Sequence, residues 1–394
     1  MKMKTLILPL AMLLALPSCA TNKAALVIEN GRAPEGGTKI TEKELADKEL
    51  ANLATKFAHQ IDEKDELSIK ANFEGLEADF SSTRFNSNLS ISDFKIDGGF
   101  DHLFEGKEKD VTGFFEFSGA SLNYRVDAEP EDESIEPTHL DKSVSIGNLA
   151  TYISKGNLYL DASRADLFET VRGTVSAIEP FYSSLADQYE ILELAGPYID
   201  LFLQEDTSRV EEVFDDFGYK FYLGDANLTL ATSFASALKA VDNVDASQAA
   251  NKIKEVFKDN IGLDWDEVAS IYKYDDGSKV IQFDIDNDKL LTLIDPEDVE
   301  YYNLELTDSH LTFAIGFDGE GFPTAFGLDS NVNAESDTTF FNNVLGSPLT
   351  FNLNTCFSVE ITHELASDYS IPSDLNNYKT LPALALKLTP LLLG

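Results

Sequence analysis

Apolar and polar positions alternate with a period of two over much of the chain, and blocks with helical spacing interrupt the alternation. The first block holds Ala46, Leu50, Leu53, Ala54, Phe57 and Ile61. It predicts an amphipathic helix of about 20 residues, opened by Thr41-Glu-Lys-Glu44 as a capping box. Period-two segments follow. Leu67, Ile69, Ala71 and Phe73 share one phase and Leu76, Ala78 and Phe80 the other, with the slip at Gly75. Phe85, Leu89 and Ile91 give way to Phe94 and Ile96 with a slip near Asp93. Phe115 and Phe117 give way to Ala120, Leu122, Tyr124 and Val126 with a slip at Gly119. A one-residue slip inside a long strand is what a β-bulge produces, and Gly is favoured there. The pattern therefore predicts three long bent strands, or six short ones with tight connections.

Thr151-Tyr-Ile-Ser and Asn157-Leu-Tyr-Leu flank Lys155-Gly156, a tight hairpin. From Ser163 to about residue 260 the pattern is mainly helical, clearest in Ala249, Ala250, Ile253, Val256 and Phe257, ended by Gly262. Strands resume near Val268. Asp275-Asp-Gly-Ser278 turns into Ile281, Phe283 and Ile285. Tyr302, Leu304 and Leu306, then Leu311, Phe313, Ile315 and Phe317, then Phe326, Leu328, Val332 and Ala334 mark further strands. Phe351, Leu353, Phe357, Val359 and Ile361 mark the last and place Cys356 on its opposite face. The count is about eleven strands, mostly joined as hairpins, with no regular βαβ alternation. The expected fold is α+β: a curved, mainly antiparallel sheet with amphipathic helices over one apolar face. The stretch 381–394 is apolar but holds Pro382 and Pro390, and is expected to pack on the sheet or to form a contact surface.

Composition narrows the partners. The 394 residues hold 69 Asp and Glu against 30 Lys and Arg, a net charge of −39. Such a chain is a poor match for nucleic acid, whose binding comes mainly from Lys and Arg, and is repelled by anionic headgroups unless anchored. The 27 Phe and 14 Tyr give ample material for a folded core.

The N-terminus offers the anchor. Lys2 and Lys4 precede an apolar run from Leu6 to Leu16, a basic n-region and an h-region too short to span a bilayer. Leu16-Pro17-Ser18-Cys19 resembles the lipobox of bacterial lipoproteins. The resemblance implies a signal peptide over 1–18, acylation of Cys19 with palmitate-type chains, a lipid-attached tether over 19–40, and a domain held outside the cytoplasm on the cell membrane or outer membrane. Two or more acyl chains suffice for stable attachment.

Motifs that carry chemistry are scarce. There is no G-x-S-x-G, no P-loop and no G-x-G-x-x-G. The histidines at 59, 102, 139, 310 and 363 form no short metal-ligand pair, and Cys356 has no His partner in sequence. Asp284, Asp286, Asp288 and Asp295 match positions 1, 3, 5 and 12 of an EF-hand loop, but Lys289 stands where the loop needs Gly; a strand end running into a helix cap is the simpler expectation. The acidic stretch Asp127–Glu136 is expected as a solvated loop, and the single tryptophan, Trp265, as a packing residue. No catalytic residue, cofactor or metal site is expected.

The order of elements resembles the LolA/LppX-type lipoprotein superfamily. The likeness is carried by the helix 41–61 leading into Leu67–Phe80, by Tyr152-Ile-Ser-Lys-Gly-Asn-Leu-Tyr-Leu160 running into a helix at Ser163, and by the hairpins across 300–334. It implies one domain over 41–380, with a helical segment at 163–260, built as a half-barrel of about eleven strands wrapped round helices. It also implies a non-enzymatic role: binding a lipid or other hydrophobic ligand between sheet and helices. An acidic cell-envelope module that binds a protein partner and no ligand is the alternative. An importer's solute-binding protein fits less well, since it needs two lobes with parallel sheets.

Overall fold

The computed structural model describes residues 27–61, 67–92, 94–102, 110–129, 137–173, 175, 190–226, 246–362 and 370–392. The expected signal peptide and Cys19 lie outside them. The fold is α+β, with a large sheet that is almost wholly antiparallel.

The strands are β1 (Thr38–Lys39), β2 (Leu67–Ser81), β3 (Phe85–Ser92), β4 (Phe94–Asp101), β5 (Thr112–Ala128), β6 (Thr138–Ser154), β7 (Asn157–Arg164) and β8 (Lys220–Asp225), then β9 (Ala269–Lys273), β10 (Lys279–Asp286), β11 (Leu304–Leu306), β12 (His310–Phe317), β13 (Pro323–Ser336), β14 (Leu349–Thr362) and β15 (Lys379–Thr380). Their order across the sheet is β1-β9-β10-β12-β13-β14-β2-β3-β5-β6-β7-β8-β15. β4 also lies between β2 and β5, beyond β3, so β3 and β4 are the two halves of one interrupted strand. Among the described residues fifteen strands thus stand where about eleven were expected. The excess comes from this interruption, from β8 in a stretch expected as helical, and from the two-residue pieces β1 and β15, too short to leave an alternating pattern.

The helices are α1 (Lys43–Ile61), α2 (Glu190–Leu203), α3 (Ser208–Phe217), α4 (Ala246–Ile261), α5 (Trp265–Val268), α6 (Asn287–Thr292), α7 (Pro296–Tyr301), α8 (Thr339–Leu345) and α9 (Leu381–Leu392). Two helical groups cover the inner face. Leu50, Leu53 and Phe57 of α1, with Ala249, Ala250 and Phe257 of α4, pack on Ile281, Phe283, Phe313, Val359 and Ile361. Each fully buried Leu, Ile or Phe contributes roughly 1.5–3 kcal/mol. At the other end Phe202 of α2, Val210 and Phe214 of α3, and Leu384 and Leu388 of α9 close over Ala162 and Phe221.

Charges fix α1 in place. Lys254 of α4 lies 2.6 Å from Asp47 of α1 and also pairs with Asp266 of α5. Burial pushes the Lys254 ammonium down, but its two carboxylates outweigh that and hold it above the ordinary lysine value. Glu49 of α1 meets Lys279 at 3.3 Å and Lys273 at 3.7 Å, tying the helix to β10 and β9.

Two segments depart from expectation. Residues 27–34, expected as part of a tether, pack on the outer face of the sheet, and Thr38–Lys39 join its edge as β1. Ile28 is 1% exposed and fits among Val280, Ala314 and Ala325. A Cβ at Gly31 would stand 2.2 Å from the Thr312 carbonyl oxygen, and one at Gly327 would stand 2.5 Å from Ile28, so only glycine permits this approach. Ala33 N–H donates to Gln282 at 2.8 Å, and Tyr274 Oη to the Pro34 carbonyl at 2.8 Å. Second, the helical segment 163–260 contains a strand, β8, antiparallel to β7. The tail packs at the sheet edge, one of its two expected placements, as a helix, α9, set against α2, α3, β8 and β15. Pro382 falls in its first turn, where no N–H is needed, and Pro390 in its last.

Candidate functional site

Three phase slips in the sequence become a line of irregularities across the sheet. Cys356 of β14 opposes Gly75 while Phe357 opposes Phe73, which leaves Glu74 as the extra residue of a bulge in β2. β3 ends at Ser92 and β4 starts at Phe94, on either side of position 93. In β5 the register shifts between Phe117 and Ala120, where Gly119 has φ 77°, and Ala120 faces Gly147, φ 70°, in β6. Each extra residue cancels a phase slip, so Phe73 and Leu76 stay on one face. The apolar inner face therefore runs unbroken through the bulge line.

Phenylalanines mark one side of this line. Phe257 of α4 stacks on Phe283 (ring centroids 5.2 Å apart), Phe283 on Phe313 (4.4 Å), Phe313 on Phe326 (6.2 Å), Phe326 on Phe357 (5.7 Å) and Phe357 on Phe73 (5.1 Å). Phe94 meets Phe73 edge-on at 5.7 Å and stacks on Phe117 at 5.5 Å. The ladder crosses the sheet from β10 to β5. On its helix-covered side Ile281, Phe283, Ile285, Val359 and Ile361 are all at or below 4% exposed.

Beyond the bulge line the same face is only half covered. Leu76 and Phe80 of β2, Leu89 and Ile91 of β3, Leu122 of β5, Val144 of β6, and Phe351 and Leu353 of β14 are all half-buried. Ala78, Tyr124 and Val126 among them are buried. Register places these side chains together: Phe351 opposes Phe80, Leu353 opposes Ala78, Ala78 opposes Leu89, Leu89 opposes Tyr124 and Leu122 opposes Val144. The rings of Phe80 and Phe351 are 4.9 Å apart. This is a strip of aliphatic and aromatic surface five strands wide.

A helical stretch at 167–173 reaches the β6 edge of the strip, where Tyr124 Oη donates to the Gly173 carbonyl. Burial raises the Tyr124 phenol above its ordinary value. Beside it lies a polar depression of about 640 Å³, lined by Lys142, Val144, Arg164, Asp166, Glu169 and Arg172 among others. Sequence reading missed this depression, since its lining comes from separate elements, β6, the end of β7 and the helical stretch after it. The Lys155-Gly156 hairpin, which the sequence did show, returns the chain so that Arg164 opposes Asn148, six residues along β6 from Lys142.

The other candidates find ordinary partners. Cys356 lies on the outer face, its Sγ 3.3 Å from Asn30 Oδ1. Asp286 caps α6 by accepting from Lys289 N–H at 3.1 Å, and Asp295 caps α7 by accepting from Glu297 N–H at 3.0 Å. Asp284 accepts from Gln282 at 2.9 Å. His102, His139 and His310 each face a different carboxylate, Asp101, Asp127 and Asp329, and do not converge. The side chain of His59, His363, and 130–136 of the acidic stretch lie outside the described residues. Among the described residues no group of three His, Cys, Asp or Glu could hold a metal ion, and no helix is long and apolar enough to cross a membrane. Trp265 is a packing residue, edge-on to Phe257 at 5.2 Å and Phe283 at 5.0 Å.

The chain is thus an α+β protein built on one large, mostly antiparallel sheet. No protein-family model matches it, and no curated protein does. Among solved structures, one titled "Lipid-protein interactions in lipovitellin" is similar over 78% of this chain and 26% of its own, at 8% identity and a TM-score of 0.26. The chain spans about a quarter of that structure's length.

Proposed function

We propose that this protein is a membrane-anchored bacterial lipoprotein, acylated at Cys19, that binds a lipid or other hydrophobic ligand between sheet and helices and performs no catalysis. The observation that carries the reading is the half-covered apolar strip, which continues the packed core face without the same cover. Apolar surface in that condition gains about 25 cal/mol for each Å² that a hydrocarbon removes from water, with few polar contacts required. Bulges aligned from β14 to β6 are the device that bends a sheet, and a sheet bent towards its helices as a half-barrel would cradle an acyl chain along the strip. A single, mostly antiparallel sheet speaks against the two-lobed importer component.

The test is direct. The chain from residue 20 onward is purified without detergent and its solvent extract analysed by mass spectrometry. A lipid in stoichiometric amount supports the carrier. Protein that emerges empty and rejects an added fluorescent fatty acid overturns it, and leaves an acidic envelope module that binds a protein partner. The dense ring packing between α4 and β10 is the feature that favours this second reading.

A further inference from the structure

The geometry points to the open edge of β6 as a docking edge for an extended segment of a partner protein, which joins the sheet as an added strand. This goes beyond lipid binding and does not depend on it.

The edge is long and open. β6 runs from Thr138 to Ser154, and β5 pairs with it from end to end. β7 pairs only with the part from Asn148 to Ser154. Among the described residues, 138–147 therefore have β5 as their one neighbouring strand, which leaves roughly 30 Å of edge at about 3.3 Å per residue. Along it alternate residues point their N–H and C=O away from β5, the template that an incoming strand needs. The rest of the sheet is finished differently. Its two ends are the two-residue strands β1 and β15. β2 and β5 are paired on both sides over nearly their whole lengths.

Space lies beside the edge. At Gly147, φ 70°, the chain leaving β7 stands against β6, where a Cβ would be 3.0 Å from Ala165 Cα and 3.2 Å from the Arg164 carbonyl oxygen. The chain then turns into the helical stretch, and Gly173 comes back over the inner side of Val144, where a Cβ would be 2.7 Å from Val144 Cγ2. Between these two approaches lies the depression of about 640 Å³, lined by Lys142, Ser143 and Ser145 of β6 and by Asp166 and Glu169 of the returning chain. Pockets that hold a ligand span about 300–1,000 Å³, so a length of extended peptide fits. The lining is polar and mixed in sign, which suits a peptide backbone better than hydrocarbon.

Side chains set the partner's chemistry. Lys142 and Val144 face inward, opposite Tyr124 and Leu122, and Asp141 faces outward, opposite Arg125. Lys142 and Asp141 are exposed. A charge turned to the inner side of an edge strand guards against indiscriminate pairing. A strand that sets an acid beside Lys142, a base beside Asp141 and an aliphatic residue beside Val144 matches all three. A second copy is a poor match, because two chains of net charge −39 repel each other.

The experiment uses the chain from residue 20 onward and follows amide hydrogen exchange at 138–147. The probe is a nine-residue synthetic peptide of alternating valine and threonine, with glutamate placed to face Lys142 and lysine to face Asp141. Alternate amides of 138–147 are expected to exchange fast in the free protein and roughly tenfold more slowly, or beyond, with saturating peptide. A peptide with its two charges exchanged is expected to bind roughly tenfold more weakly. The variant Asp141→Lys/Lys142→Glu is expected to reverse that preference. A copy of the probe N-methylated at the residues that would bond to β6 is expected to give no protection. Amides of 138–147 that already exchange slowly without peptide overturn the inference, because the edge is then covered. A probe that leaves them fast overturns it, and so does equal binding of the N-methylated copy, which excludes strand addition. Protection that rises with protein concentration alone makes the occupant a second copy, also against the inference. Should the double variant not fold, the three peptides on the wild-type chain carry the same test.

Discussion

Replacing Phe283 with alanine removes the ring on which the helix-covered half of the sheet is centred. Phe283 is 3% exposed and lies between Phe257 and Phe313, at 5.2 and 4.4 Å, with the indole of Trp265 edge-on at 5.0 Å. Deleting a buried Phe side chain costs about 3–5 kcal/mol through lost transfer energy and the cavity left behind. Aromatic pairs add about 0.5–1.5 kcal/mol each beyond their area, which places this site at the upper end, about 4–5 kcal/mol. Phe80 is the matched control on the same face beyond the bulge line. It is half-buried with one close ring, Phe351 at 4.9 Å, and its replacement by alanine is expected to cost about 2 kcal/mol. Urea unfolding followed by far-ultraviolet circular dichroism measures both. With a slope of about 3 kcal/mol per molar urea, the Phe283→Ala midpoint should fall by more than about 1 M and the Phe80→Ala midpoint by about half as much. A loss below about 2 kcal/mol at Phe283, or equal losses at the two sites, would refute the division of the inner face into a packed half and a half-covered one.

Asp286→Ala should cost about 1 kcal/mol through loss of the α6 cap. Calcium should shift the melting temperatures of wild type and variant equally; protection of wild type alone would return the 284–295 acids to a calcium role. The Lys254 cluster sets an acid-side dependence. Burial pushes the Asp266 carboxyl up, but hydrogen bonds and charge from Lys254 and Lys43 outweigh it and hold it below the ordinary value. Its contribution is therefore complete above the unfolded aspartate value, near pH 4, and is lost as pH falls through the lower folded value. The stability gap between wild type and Asp266→Asn should be constant from about pH 6 to 9 and close below about pH 4; a gap that persists in acid would show that the carboxylate's charge is not what matters.

Much of this fold is legible in the sequence because its bulges are written as phase slips. Gly75, Asp93 and Gly119 mark where β2 takes its extra residue, where β3 hands over to β4, and where β5 shifts register. Trp265, Cys356 and the acids at 286 and 295 take the packing, outer-face and capping positions expected from their neighbours. The missed parts depend on partners distant in sequence. Residues 27–40 show no periodicity, because Ile28 and Gly31 fit a single spot on the outer face rather than a repeating one. β8 is six residues in a helical neighbourhood, and its pairing with β7 gives it meaning. The polar depression is invisible for the same reason, being assembled from a strand, a hairpin return and the helical turn after it.

The burial of Trp265 has a photophysical consequence. The chain has one indole, 8% exposed and fixed over β10. From β10 to β2 is four steps across the sheet, roughly 20 Å at about 4.8 Å per strand. The emitter sits outside the strip, so a bound chain would not touch it, yet a conjugated acyl chain lying there would fall within reach of resonance energy transfer. The protein thus carries a fixed optical donor facing the strip at that distance, and the transfer efficiency would report where along the strip an added polyene lies without any label added to the polypeptide.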